Sequence, residues 1–191
     1  SMLTLLLTGI AISSFLSSCT SLLISFSNAG VMLQIVQWLM GDLNGRDWGE
    51  VKILVVPILL GICIFMYYAN DLDIFLLGEE QAQNMGISVQ RTRNLLLIVA
   101  SLVTGFSVAL TGAIGFVGLI VPHMIRMIIG PTHRYLLIAS ALGGASFLII
   151  ADLISRLVIR PAEIQIGIIT AFFGAPFFIY LIIKNKKQGE A

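Results

Sequence analysis

The stretches 2–41, 53–70, 94–125 and 164–183 contain no Asp, Glu, Lys or Arg. A helix crosses a bilayer core with about 20 predominantly apolar residues. Each stretch is long enough for one crossing, and two can hold more than one segment. Helices are the expected form, because backbone groups in lipid must be satisfied within the segment. The pattern predicts a first span over about Leu3–Ser25 and a short interfacial helix with an exposed loop in 28–50. A second span covers about Ile53–Ala69. Residues 70–94 are polar, charged and too broken to cross; within them "EEQAQNMG" reads as one short helix stopped at Gly86, a residue suited to a helix C-terminus. A third span runs from just after Arg93 to about Leu110. A shorter helix, Phe116–Ile129, is ended by "GPTHR". A fourth span covers Tyr135–Ala151 and extends to about Leu157, and a last one covers about Ile164–Ile183.

Small residues interrupt this apolar background at regular places. Gly9, Ser13, Ser17, Ser21 and Ser25 recur every four residues, with Ser14 and Ser18 widening the stripe. Small residues let helices approach closely in lipid; a stripe of hydroxyls equally suits the wall of a polar pathway, and both readings stand. "ASALGGAS" (139–146) and the series Gly167, Ala171, Ala175 invite close packing. In "TGAIGFVGLIVPHMIR" (111–126), Gly112, Gly115 and Gly118 would permit a turn between two non-ideal helices and close contact with neighbours. Pro122 would kink the pairing that follows.

Composition agrees with the pattern. The chain is 58% hydrophobic and 11% charged, where a soluble domain carries about a quarter charged residues. The N-terminal run has no basic flank and is too long for a signal peptide. The chain opens Ser-Met, which suggests a cloning remnant or a piece of a longer protein. Cys19 and Cys63 lie in apolar runs and form no metal-binding pair. No basic stretch interleaved with aromatics points to nucleic acid. With alternating ends, Arg91, Arg93, Arg126, Arg134, Lys184, Lys186 and Lys187 fall on one side and Arg46, Lys52, Arg156 and Arg160 on the other. The excess of positive charge makes the first side cytoplasmic. The 70–93 loop and the 184–191 tail are then inside, and the 28–50 loop is outside.

Chemistry-bearing residues are few. The sequence contains no Walker A, H-E-x-x-H or G-x-S-x-G pattern, so no catalytic residue, metal site or cofactor is expected. Asp152 and Arg156, four apart, share a helix face and can pair. An acid in a span also admits proton coupling, so an ion-coupled secondary transporter is an alternative, and a non-transporting membrane fragment is another. His123 reads as structural and His133 as a solvated loop residue. The residues alone describe an all-α polytopic membrane protein, with about five full transmembrane helices plus a shorter one, fit for a transporter or channel component.

Several motifs carry a further resemblance. "LGEEQAQNMGI" (77–87), "TGAIGFVGLIVPHMIRMIIGPTHRYLL" (111–137), "ADLISR" (151–156) and "PAEIQIGIITAFFGAPFFIYLI" (161–182) occur in the order found in the FecCD-type permeases. These are membrane subunits of type II ABC importers for ferric siderophores, haem and cobalamin. The similarity runs over 1–191 as a single permease region. It implies the C-terminal part of a subunit that typically has ten spans, from the fifth span onward. The resemblance implies a cytoplasmic coupling loop at 70–93, with Gly78, Glu79, Glu80, Gln83 and Gly86 facing an ABC ATPase subunit. It implies that Arg156, and with it Arg160, docks an extracellular or periplasmic substrate-binding protein. Thr4 would lie at a cytoplasmic gate, with Ser13 and Ser17 along the pathway. Gly112, Gly115, Gly118, Pro122 and Asp152 would shape the scaffold. A second permease subunit, identical or not, and membrane lipid complete the implied partners, in a bacterial cytoplasmic membrane.

Overall fold

The computed structural model describes residues 2–159 and 163–189. Among them every regular element is a helix. The chain divides into two compact units, Ser1–Leu39 and Met40–Ala191.

The first unit is built on α1 (Met2–Ser25) and α2 (Ala29–Met40), the latter ending at the unit boundary. No described α1 residue is buried within the protein, and Leu7, Phe15 and Leu23 are more than half exposed. That is an apolar surface left for lipid or other membrane segments to cover. Its hydroxyls turn back on its own carbonyls: Thr8 donates to Thr4 at 2.8 Å, Ser18 to Ser14 at 2.9 Å and Ser25 to Ser21 at 3.0 Å. Such bonds satisfy a hydroxyl that has no water to turn to. The Asn28 side chain accepts the Val31 N–H at 3.0 Å and so starts α2.

The second unit contains α3 (Trp48–Tyr67), α4 (Ala69–Phe75), α5 (Glu79–Asn84), α6 (Val89–Thr111), α7 (Val117–Ile129), α8 (His133–Leu157) and α9 (Ile166–Gly189). α3 starts five residues before the expected Ile53. Asp47 and Glu50 form a reciprocal capping box, Glu50 N to Asp47 Oδ1 at 2.9 Å and Asp47 N to Glu50 Oε2 at 3.2 Å. The apolar run therefore does not define where the helix begins; the polar cap does. α4 lies where a broken loop is expected. α9 continues past Ile183 to Gly189, through residues expected to form a polar tail.

α7 packs on α8 and α9, α3 packs on α6, and α8 packs on α9. The small residues of 139–146 serve the first of these contacts. A Cβ on Gly143 would stand 2.7 Å from Ile125 Cδ1 and 3.2 Å from Val121 Cγ1 of α7. Ala151, Ile166 and Ile169 form a small buried core, with Leu43, Ile114 and Leu148 against it. Most other large apolar side chains, Leu102, Ile149 and Phe172 among them, stay exposed, because lipid covers them at little cost.

Hydrogen bonds between distant segments fix which helix ends lie together. Asp42 N donates to Thr111 O at 2.8 Å, Ile164 N donates to Ser155 O at 3.2 Å, and Arg156 reaches Asn44. One end therefore gathers the 41–47 loop, the start of α3, the end of α6, the end of α8 and the start of α9. Asp73 bonds His133, so α4, α5 and the start of α8 gather at the other. α7 carries the chain back between the two, which is the alternation that the sequence pattern predicts.

Candidate functional site

The expected coupling residues Gly78–Gly86 and the expected docking residue Arg156 fall at these two ends. At the Asp73–His133 end, α5 is a six-residue helix held by its flanks. Gly78 precedes it at φ 111, and Ala82 N donates to Gly78 O at 3.1 Å. Gly86 follows at φ 85, with Gly86 N bonded to Gln83 O at 2.9 Å and Ile87 N to Ala82 O at 3.0 Å. That pair of bonds is a Schellman stop. A Cβ on Gly78 or Gly86 would meet nothing within 4 Å, so both glycines serve the left-handed backbone and not close packing. Ala82 is fully buried, while Glu79, Glu80, Gln81 and Gln83 are exposed. One small side chain anchors α5, and its polar side chains stand outward. Glu79 pairs with Arg93 of α6, and Leu76 and Leu77 beside it are more than half exposed.

The same end holds a contact that sequence reading missed. His133 is not a solvated loop residue. It is the first residue of α8, its side chain is 14% exposed, and it meets Asp73 of α4. Asp73 Oδ1 accepts the His133 backbone N–H at 2.8 Å and lies 2.6 Å from ring Nδ1. A carboxylate so close assigns the ring proton to Nδ1. Burial works to raise the Asp73 pKa, but the backbone bond, the ring bond and the charge of His133 outweigh it and hold the carboxyl below the usual carboxylate value. The only sequence signal was Thr132, a capping residue type ahead of α8 that makes no side-chain cap bond.

At the opposite end Asp152 and Arg156 pair as their spacing predicts. Arg156 Nε donates to Asp152 Oδ2 at 2.8 Å and Nη2 to Oδ1 at 3.1 Å. This is a bidentate fork. Nη1 donates to Asn44 Oδ1 at 3.3 Å, Asn44 Nδ2 donates to Glu163 Oε2 at 2.5 Å, and Asn44 N donates to Asp42 Oδ1 at 2.8 Å. Asp42, Asn44, Asp152, Ser155, Arg156 and Glu163 line one small cleft. Arg156 is thus not a bare cation awaiting a partner. Three of its five N–H donors are in use, which leaves two. Arg160 lies outside the described residues.

The glycine run divides differently from the expectation. Gly112 makes the turn, at φ 71, and closes α6. Close contact is not found at Gly115 or Gly118, where a Cβ would meet nothing within 4 Å. The second left-handed residue is Phe116, φ 67, which precedes α7. Packing room is needed instead on α9: a Cβ on Gly174 would overlap the Phe116 ring, and one on Gly167 would overlap the Met40 carbonyl oxygen. Pro122 lies inside α7 without ending it. Thr4, Ser13 and Ser17 belong to α1 in the first unit and are exposed. No group of three His, Cys, Asp or Glu side chains suited to a metal occurs among the described residues.

Comparison with known proteins places this geometry. The model of the FecCD transport family matches residues 1–184. The cobalamin import system permease protein BtuC of Halobacterium salinarum is 45% identical over 94% of this chain and 48% of its own length. The Fe(3+) dicitrate transport system permease protein FecD of Escherichia coli K12 is 41% identical over 95% of this chain and 57% of its own. A solved structure described as an inward-facing metal-chelate type ABC transporter superposes with TM-score 0.87 at 35% identity, over 96% of this chain and 61% of that one. The chain spans about half the length of the curated relatives it matches.

Proposed function

The chain belongs to the FecCD transport family, and from that premise we propose that it forms part of the membrane permease of an ATP-binding-cassette importer. The cargo is a bulky metal chelate: a ferric siderophore, haem or cobalamin. The names of the similar permeases support that class without choosing within it. In this reading α5 seats in a cytoplasmic ATPase subunit, the Arg156 end of α8 meets the substrate-binding protein, and a second permease subunit completes the pathway in a bacterial cytoplasmic membrane. The chain supplies a wall and two docking ends, and hydrolysis belongs to the ATPase. Energy enters only where a partner binds two conformations unequally.

The observation that carries this reading is α5 itself. A helix this short does not persist in water on its own. Here two left-handed glycines, a Schellman stop and one buried alanine hold it, with its carboxylates outward. The test uses the permease with its full complement of spans, its ATPase and its binding protein in vesicles. Glu80→Lys reverses an outward charge without breaking the Glu79–Arg93 pair. Transport per ATP hydrolysed should fall at least tenfold while the permease stays folded. Unchanged coupling with Glu80→Lys and Glu79→Lys together would remove α5 from the ATPase contact. The ion-coupled alternative rested on Asp152, which is committed to a bidentate pair with Arg156; uptake driven by an ion gradient without ATP would restore it.

A further inference from the structure

α8 is one helix with a chemical fixture at each end. Its 25 residues span about 37 Å at 1.5 Å per residue. Its last turn holds Arg156 in the fork of Asp152. Its first residue is held by Asp73, sixty positions earlier in the chain. Helix starts are ordinarily capped by the residue just before them. Here Thr132 makes no side-chain cap bond, and a carboxylate from α4 accepts the first backbone N–H instead, where the helix dipole favours negative charge.

The path from α5 to that carboxylate is short and hydrogen-bonded throughout. Leu76 N bonds Asp73 O at 3.2 Å, Leu77 N bonds Ile74 O at 3.0 Å, and Gly78 N bonds Phe75 O at 3.2 Å. Ala82 N then bonds Gly78 O at 3.1 Å inside the start of α5. α4 and α5 are thereby joined without a slack linker. α4 in turn packs on α8.

We propose that the Asp73–His133 joint is the link through which displacement of α5 reaches α8 and, along that rigid helix, the Arg156 end. Asp73 and His133 are then positioning residues for coupling: they dock neither the ATPase nor the binding protein, but connect the two docking ends. The proposal rests on the reading of α5 and of the Arg156 end given above. It assigns a role to two residues that lie off both docking surfaces.

Linkage provides a readout that a merely structural contact would not move. If nucleotide binding at one end changes binding-protein affinity at the other, the binding protein changes nucleotide affinity by the same factor. The experiment uses the assembled transporter in nanodiscs, with ATPase, binding protein and all permease spans. The dissociation constant of the binding protein is measured with and without a non-hydrolysable ATP analogue, and that of the analogue with and without the binding protein. In Asp73→Ala both shifts should collapse together toward onefold, while the binding protein's affinity without nucleotide stays within about twofold of the unaltered value. Asp73→Asn, which keeps an acceptor for both N–H groups, should restore most of each shift. His133→Ala keeps the backbone bond and loses the ring, so it should show an intermediate loss; it decides the question alone if Asp73→Ala does not assemble. Unchanged shifts in every variant that assembles overturn the joint. Failure of the unaltered permease to bind its ATPase overturns the docking reading, and the joint with it.

Discussion

Asp73 shows how one carboxylate can set a pH dependence. Its folded-state pKa lies below the usual value because His133 donates to it twice. A lowered pKa means that the unfolded chain binds the proton more tightly, so the contact stabilises the fold above the unfolded pKa. That contribution is lost as pH falls through the lowered folded value. Asp73 therefore contributes fully from neutral pH down to the ordinary carboxylate range, and its share disappears on further acidification. Thermal unfolding in detergent between pH 7 and pH 3 should show a smaller acid-induced drop for Asp73→Asn than for the unaltered protein. Equal drops would mean that the carboxylate is not held as described. Arg156 illustrates the opposite limit of sequence reading. Its spacing from Asp152 made the pair legible, since residues four apart share a face. Asn44 and Glu163 were not legible, because they lie 112 and 119 positions from their partners and only the fold unites them.

Elements were legible in proportion to how much lipid, and not neighbouring protein, dictates them. The long apolar stretches identified α1, α3, α6, α8 and α9, each long and apolar enough to cross a membrane. Boundaries followed other rules. The Asp47–Glu50 capping box moved the start of α3 outward, and α4 formed in a polar stretch because Ala69 is buried and Asp73 has a partner on α8. Gly86 was read correctly as a stop. The reason the structure gives, a left-handed φ of 85 with open space around the absent side chain, makes a clean prediction. Gly86→Ala should cost about 1 kcal/mol through the left-handed backbone alone, and Gly86→Asn less, since asparagine tolerates that region. Melting temperatures of the two variants rank them; equal values would place the stop elsewhere. Gly115 and Gly118 looked equally purposeful in sequence. Close approaches fell as expected in 139–146, at Gly143, and at Gly167, while those at Gly61 and Gly174 were not read from the sequence and none fell at Gly115 or Gly118.

At the scale of the second unit, the helix ends are sorted into two groups by a few long-range bonds, and α7 is the test of that sorting. Its 13 residues reach about 20 Å, short of the ~30 Å hydrocarbon core. A helix of that length is as easily read as re-entrant, entering and leaving on one side. The bonds argue for a crossing. The chain leaves α6 at the end where Asp42 N meets Thr111 O, and resumes α8 at the end where Asp73 meets His133. The irregular Gly112–Phe116 segment supplies length that α7 lacks, and its backbone is partly covered by protein, with Gly112 buried and Ala113 O close to Gly41 and Gly167. The positive-charge count depends on the same crossing, because a re-entrant α7 would move Arg134 to the other side and reverse α8 and Arg156 with it. Single cysteines, with Cys19 and Cys63 replaced by serine, separate the cases. Gln81→Cys and Pro131→Cys should react with an impermeant maleimide from the same face of a sealed vesicle, and Ile159→Cys from the opposite face; all three positions are exposed. Labelling of Ile159→Cys from the Gln81→Cys face, with Pro131→Cys labelled from the opposite face, would make α7 re-entrant and break the alternation. With Pro131 on the Gln81 face, the end bearing Arg91, Arg93, Arg126 and Arg134 is the one that the positive-inside rule assigns to the cytoplasm, which is the side on which α5 would have to meet an ATPase.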